Sequence, residues 1–205
     1  MNSIMIVGLI VFAYLIGSIS NSILICKIAK LPDLRKQGSY NPGSTNMLRL
    51  HGKILSLFVA ILDIFKGIFP VLLGKLLCDD ISLFYLGLIT VSTCIGHIYP
   101  IFFHFKGGKG VAPVLGGMMV INPILSILMI VTWIVIVLIF GYSSLGSIIA
   151  ILIGLIYSFF QQEIIIPVII LAFLIIFRHY ENIRRLLNGK EDNILQYLIK
   201  KNQDK

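Results

Sequence analysis

Three short polar clusters interrupt a chain that is otherwise strongly apolar, and each carries groups suited to holding a phosphate. The first, Gly38-Ser-Tyr-Asn-Pro-Gly-Ser-Thr-Asn46-Met-Leu-Arg49, gathers glycines, hydroxyls, amides and one arginine. Such a set can wrap a small polyanion, and it can equally form a turn-rich loop that ends in a helix cap. The second cluster, residues 96–112, holds Lys106-Gly107-Gly108-Lys109-Gly110 ahead of an apolar segment. Two ammonium groups and bare backbone N–H groups then meet at the expected amino end of a helix, which is a ready anion site. It is not a Walker A nucleotide loop, because glycine rather than Ser or Thr follows Lys109 and Phe103 stands where the opening glycine would be. In the third cluster, residues 177–191, a helix running on from the preceding apolar segment puts His179 and Asn182 on one face. On the same helix Glu181 is spaced to pair with Arg185. A basic helix that merely grips anionic headgroups shows the same charges, but it has no use for the His179/Asn182 pair.

Charge inside an apolar run is the other chemical signal. Asp63 and Lys66 stand one helical turn apart in a stretch that otherwise reads as a membrane span. Each alone would cost about 2.5–3.5 kcal/mol at the bilayer centre. A neutralised pair turned into a bundle is therefore expected, supporting a site rather than reacting in it. His51 and His104 read as solvated interfacial residues, and His97 as a packing or hydrogen-bonding residue rather than a metal ligand. Cys26, Cys78 and Cys94 form no CxxC pair, so neither a disulfide framework nor a zinc site follows from them. No metal and no cofactor is expected.

Composition dictates the elements that must position these groups. Of 205 residues, 58% are hydrophobic and 13% charged, and the mean hydropathy is +0.97. A soluble domain carries about 25% charge, which excludes an ordinary cytosolic enzyme, a disordered chain and a soluble nucleic-acid binder. The net charge of +8 suits the basic cytoplasmic loops of a membrane protein, and no nucleic acid is expected as a partner. Residues 1–26 carry no charged side chain and read as a first span, with no basic leader to mark a cleavable signal. Residues 54–77 and 81–105 read as two more spans.

Between residues 110 and 162 there is no Asp, Glu, Lys or Arg, and turn signals at Asn122-Pro123 and Gly141-Tyr-Ser-Ser144 divide the stretch into 111–121, 124–140 and 145–160. A last apolar segment, 164–177, runs into a basic tail. As a helix the piece 111–121 is about 16 Å long, short against a hydrocarbon core about 30 Å thick. If it lies on the surface there are six spans and the tail falls outside. If it crosses there are seven, and all 17 Lys and Arg except Lys66 and Lys75 share the cytoplasmic side. The positive-inside bias favours the second count. The expectation is one all-α integral membrane domain over residues 1–205. It has seven transmembrane helices, the amino terminus outside, the carboxyl terminus cytoplasmic, and one short span enclosed by protein.

With these motifs in this order, the chain resembles the acyl-phosphate:glycerol-3-phosphate acyltransferases, the PlsY family, over essentially its whole length. The resemblance rests on Gly17-Ser18-Ile19, on Gly-Ser-x-Asn-x-Gly-x-Thr-Asn-x-x-Arg at 38–49 and on Asp-x-x-Lys-Gly at 63–67. It continues with Gly-His-x-x-Pro-x-Phe-x-x-Phe-Lys-Gly-Gly-Lys-Gly-Val-Ala at 96–112, Tyr-x-Ser-Leu-x-Ser at 142–147 and Arg-His-x-Glu-Asn-Ile-x-Arg-Leu at 178–186. It implies a multi-pass enzyme of the bacterial inner membrane with its active site at the cytoplasmic face. It also implies the reaction: a fatty acyl group passes from acyl phosphate to the 1-hydroxyl of glycerol 3-phosphate. Lysophosphatidate and phosphate are the products, and the reaction is the first step of phospholipid synthesis. Membrane lipid surrounds such an enzyme, and another enzyme that makes acyl phosphate must serve it.

By position, the resemblance assigns Ser39, Arg49, Lys109, Ser147, His179 and Asn182 to the catalytic site. It assigns Asn46, Lys106, Gly107, Gly108, Gly110 and Ser144 to holding substrate phosphate, and Glu191 to structural support beside Asp63 and Lys66. The chain departs from the family pattern at Ser20 (for Pro), Tyr40 (for Gly or Lys), Ser44 (for Ala) and Pro113 (for Thr). It departs again at Gly141, where a basic residue commonly precedes Tyr142.

Residue chemistry agrees with the implied reaction. Two phosphorylated substrates need fixed positive charge, and Arg49 can take one phosphate bidentately while Lys106 and Lys109 act as point charges. Acyl phosphate is a mixed anhydride and already activated, so no covalent intermediate is required. No Ser/His/Asp triad and no His-x-x-x-x-Asp motif is visible among the 4 histidines. Direct attack by the hydroxyl follows, with His179 and Asn182 orienting the acyl carbonyl. Either the departing phosphate or His179 takes the proton. A transporter of phosphorylated metabolites is the rival from another class. It would need inverted repeats and charge in both halves, which the uncharged stretch 110–162 opposes.

Overall fold

The computed structural model describes residues 3–197. Both chain ends, and Lys200, Lys201 and Lys205 of the basic tail, lie outside the described residues. Within the described residues the regular elements are helices: α1 (Ser3–Gly17), α2 (Asn21–Ile28), α3 (Ser44–His51), α4 (Lys53–Leu77) and α5 (Leu83–Ile98), then α6 (Val111–Ile121), α7 (Pro123–Phe140), α8 (Ser143–Ser158), α9 (Ile165–Arg178) and α10 (Tyr180–Leu187). Segments Lys53–Leu77, Leu83–Phe103 and Pro123–Phe140 are long and apolar enough to cross a membrane. Each of the bent pairs α1–α2 and α9–α10 passes the same test as one broken span, while α6 and α8 are shorter apolar helices.

The expected first span is one continuous helix, and here the structure differs. It bends by 40° between Gly17 and Asn21. The Ser18 hydroxyl donates to the Tyr14 carbonyl at 2.8 Å, and Ser20 is extended. A break in apolar surroundings strands carbonyls that water cannot reach. Lys66 takes them, its Nζ donating to Gly17 O at 3.2 Å and Ile19 O at 2.8 Å. Asp63 neutralises that ammonium at 3.1 Å and accepts from Asn21 Nδ2 at 2.9 Å. The buried pair is thus a staple between α4 and the bend.

The short helix α6 packs against α4, α5 and α7. Glycine makes the approach possible: a methyl on Gly116 would strike the Ile64 carbonyl, and one on Gly67 the Pro113 carbonyl. Packed in this way, α6 is buried or half-buried at every residue except Met119, as a helix too short to face lipid requires. Its exit is also as the sequence reads, with Asn122 Oδ1 accepting from Leu125 N at 3.0 Å and Pro123 at the first helical position.

Candidate active site

A cavity of about 300 Å³ opens where the loop before α3, α3 itself and the starts of α6 and α8 meet α4, α7 and α10. One wall is apolar, built by Ala60, Ile64, Leu115, Ile130, Trp133 and Ile134. The other is polar and brings together Ser39, Asn46, Arg49, Asp63, Lys109, Gly110, Ser144, Ser147, His179, Asn182 and Glu191. Lys106, Gly107, Gly108 and Lys66 are not in its lining.

Glu191 organises the polar wall. Its Oε1 accepts from Asn182 Nδ2 at 2.6 Å and from Ser144 Oγ at 2.7 Å, and its Oε2 from Arg185 Nε at 2.7 Å. Asn182, with its amide spent on Glu191, turns its Oδ1 to accept from Lys109 Nζ at 2.5 Å. Burial alone would raise the Glu191 carboxyl; the bonds from Ser144, Asn182 and Arg185 reverse that and hold it below the usual range. The expected Glu181–Arg185 pair is absent from this arrangement. The helix does not run on from α9 but turns by 56° at His179, and after α10 the left-handed Gly189 brings Glu191 back onto Arg185.

Lys109 is the ammonium that the network aims into the cavity. Burial pushes it down to about 7, and Arg185, Arg49 and Arg178 push the same way, while Glu191 opposes them. In the empty site the cation is therefore lost as pH rises through about 7. If it holds a substrate phosphate, kcat/KM falls across that pH. The fall in kcat comes at higher pH, because bound phosphate stabilises the ammonium. Stability moves the opposite way. The unfolded lysine keeps its proton up to its ordinary value of 10.5, so from about 7 to 10.5 the unfolded chain binds more protons and folding strengthens as pH rises. Activity and thermal midpoint are expected to slope oppositely over that window, and Lys109→Met to remove its share of the stability slope.

His179 sits at the α9–α10 bend with Nδ1 2.8 Å from the Ile175 carbonyl. A carbonyl only accepts, so that bond assigns the proton to Nδ1 and leaves the Nε2 lone pair of the neutral ring available. Ser147 Oγ donates to Ser143 O at 2.9 Å, and the Trp133 indole donates to the same carbonyl at 3.3 Å.

Four residues expected to hold phosphate are placed differently. Asn46 lines the cavity, but its Oδ1 accepts from Ser39 N at 3.1 Å and its Nδ2 donates to Leu34 O at 3.2 Å and Gln37 O at 3.1 Å. It shapes the loop carrying Ser39 instead of presenting an amide to a ligand. The N–H groups of Gly107 and Gly108 are likewise taken, by Ile98 O at 3.1 Å and His97 O at 3.0 Å. They tie the glycine loop back onto the end of α5, and a methyl on Gly108 would strike the His97 ring. Lys106 is exposed and lies outside the cavity lining. In the glycine loop the donors left at the cavity are therefore the Lys109 ammonium and the Val111 and Ala112 amides, beside the Ser39 and Arg49 side chains.

Arg178 is a positioning residue that residue types alone did not single out. Its guanidinium donates to Gly108 O at 3.3 Å and Gly107 O at 3.4 Å and lies 5.8 Å over the Tyr99 ring, which serves it as a packing platform. Thr45, Trp133 and Ser143 were also missed in the cavity wall; the hydroxyls of Thr45 and Ser143 lie 3.3 Å apart. His97 is buried, with Nδ1 unbonded and 3.9 Å from Asp63 Oδ1. His104 is exposed as expected, whereas His51 Nε2 is shut off from water and has no partner.

The model of the family described as glycerol-3-phosphate acyltransferase matches residues 7–189. A glycerol-3-phosphate acyltransferase of Proteus mirabilis (strain HI4320) is 50% identical over 197 residues, 96% of this chain and 89% of that protein. One from Sodalis glossinidius (strain morsitans) is 51% identical over 195 residues, 95% of this chain and 92% of that protein. The chain is also similar to solved structures of PlsY (YgiH), an integral membrane glycerol 3-phosphate acyltransferase. Its glycerol 3-phosphate form gives a TM-score of 0.87 at 38% identity, covering 92% of this chain and 94% of that one. Its lysophosphatidic acid form gives 0.86 at 36%, covering 95% and 98%.

Proposed function

The chain belongs to the glycerol-3-phosphate acyltransferase family, and from that premise we propose that it transfers a fatty acyl group from acyl phosphate to the 1-hydroxyl of glycerol 3-phosphate. The products are lysophosphatidate and inorganic phosphate. The observation that carries this reading is the cavity's mixed lining, in which Arg49, Lys109 and the start of α6 share one space with apolar side chains of α4, α6 and α7. A phosphorylated polar substrate and an acyl chain need that combination of surfaces. Ser39, Arg49 and Lys109 hold phosphate. His179 Nε2 and the Lys109–Asn182–Glu191 chain orient the reacting carbonyl and hydroxyl. Ser147 and Ser144 complete that wall from α8. The attack is direct: the substrate oxygen bonds to the acyl carbon, the carbon–oxygen bond to phosphate breaks, and the proton passes to the leaving phosphate or to His179.

The whole chain acts as one membrane domain of seven spans. Three long helices, two bent pairs and the shorter α6 and α8 support that count. The lysines and arginines of the three clusters mark the cytoplasmic side of a bacterial inner membrane, where acyl phosphate arrives from the enzyme that makes it.

The test uses purified protein, labelled glycerol 3-phosphate, and palmitoyl phosphate or palmitoyl-CoA in parallel. Labelled lysophosphatidate is expected with the phosphate donor alone. Product from the CoA ester alone overturns the donor, and no product from either overturns acyl transfer.

A further inference from the structure

Resting on that reading, we infer that Asp192 is a built-in stand-in for substrate phosphate: its carboxylate pairs with Arg49 NH1 in the empty enzyme and yields that position when a phosphate monoester binds. Arg49 and Asp192 form an ion pair with NH1 3.3 Å from Oδ2, and Arg49 NH2 donates to the Asp192 main-chain carbonyl at 3.4 Å. The partners are unequal. The Arg49 side chain is 14% exposed and lines the cavity, while that of Asp192 is 66% exposed. A charge-assisted bond at full strength is about 2.7–2.9 Å long, so the carboxylate is held loosely.

The backbone on either side is fixed. Before it stands Glu191, bound to Ser144, Asn182 and Arg185. After it Asn193 Nδ2 donates to Phe140 O at 3.1 Å, Ile194 N donates to Gly141 O at 2.8 Å, and Ile194 is buried. Gly141 makes room for this strap, since it is left-handed and a methyl there would strike the Asn193 carboxamide. That gives a physical place to the chain's departure from the family pattern at Gly141. The strap therefore stays docked while the Asp192 carboxylate swings out. Its carbonyl keeps one NH2 proton and so holds the guanidinium in aim, while NH1 and the second NH2 proton turn to the phosphate. A phosphate dianion wins that exchange by charge and by matching the fork.

The experiment compares wild type with Asp192→Asn, an exposed change that keeps the side chain's shape. Inorganic phosphate is titrated against the fluorescence of Trp133, the only tryptophan, which lines the cavity. The variant is expected to bind phosphate about 3-fold more tightly, the scale of an exposed ion pair. In steady state the KM of whichever substrate uses Arg49, glycerol 3-phosphate or acyl phosphate, falls by a similar factor with kcat unchanged. Unchanged or weaker phosphate binding overturns the inference, as does a raised KM for either substrate. The fluorescence arm needs no turnover, so an inactive wild type would sink the proposed reaction and leave this inference to its own test.

Discussion

Arg49→Ala is expected to lower kcat/KM for the phosphorylated substrate that Arg49 holds, glycerol 3-phosphate or acyl phosphate, by about 10³-fold while leaving the fold intact. The guanidinium is a forked donor in the cavity wall, so its loss removes two charge-assisted bonds to a dianion in a site where water replaces them poorly. Truncating one partner of such a pair costs 2–5 kcal/mol or more, and about 4 kcal/mol corresponds to that factor. Structure does not depend on the group to the same degree. The α3 backbone is bounded by Gly43 and the left-handed Gly52, and the Tyr197 hydroxyl bonds to the Arg49 main-chain carbonyl, which alanine keeps. Arg49→Lys restores only part of the loss, because an ammonium supplies charge without the fork. Steady-state assays with labelled glycerol 3-phosphate, alongside thermal midpoints, decide the matter. A loss under 10-fold at full stability would mean that the phosphate is held elsewhere.

What the sequence made legible was chemistry that is local in the chain. Gly110 at the start of α6, the Asn122-Pro123 turn and the Asp63/Lys66 spacing each depend on neighbours a few residues away, and each appears as read. So does the length of α6, since the flanking turn signals fix it. Groups whose roles depend on distant partners were misplaced. Gly107 and Gly108 looked like free donors because nothing local says that the chain at Tyr99-Pro100 folds back and presents the Ile98 and His97 carbonyls to them. Glu181 looked like the partner of Arg185 because helical spacing cannot register the turn at Gly189 that delivers Glu191. Residues 1–26 read as one helix for the same reason, as the group that stabilises the bend, Lys66, comes from another span.

That bend sets up the second large effect, on stability. Asp63 and Lys66 are buried, with side chains 4% and 6% exposed, so Lys66→Met leaves a carboxylate in the bundle with the Asn21 amide bonded to it and the His97 ring 3.9 Å away, and Asp63→Leu leaves an uncompensated ammonium. Breaking a buried pair from one side costs about 3–5 kcal/mol, and each single variant is expected to lose that much. Removing both charges lifts the penalty, because two apolar side chains replace two ions that had to be desolvated. Recovery in the double variant stops short of wild type, since Gly17 O and Ile19 O then lose the donor that the bend requires. An unsatisfied buried acceptor costs about 1–3 kcal/mol, so the double variant should sit roughly that far below wild type. It should also be more stable than either single variant. Denaturant or thermal midpoints in detergent, run as a double-mutant cycle, measure the coupling. If the two single losses simply add, the pair is not one energetic unit. If the double variant matches wild type, Lys66 contributes only by neutralising Asp63, and the bend is held by the Ser18 bond to Tyr14 and by the packing of α1 on α5.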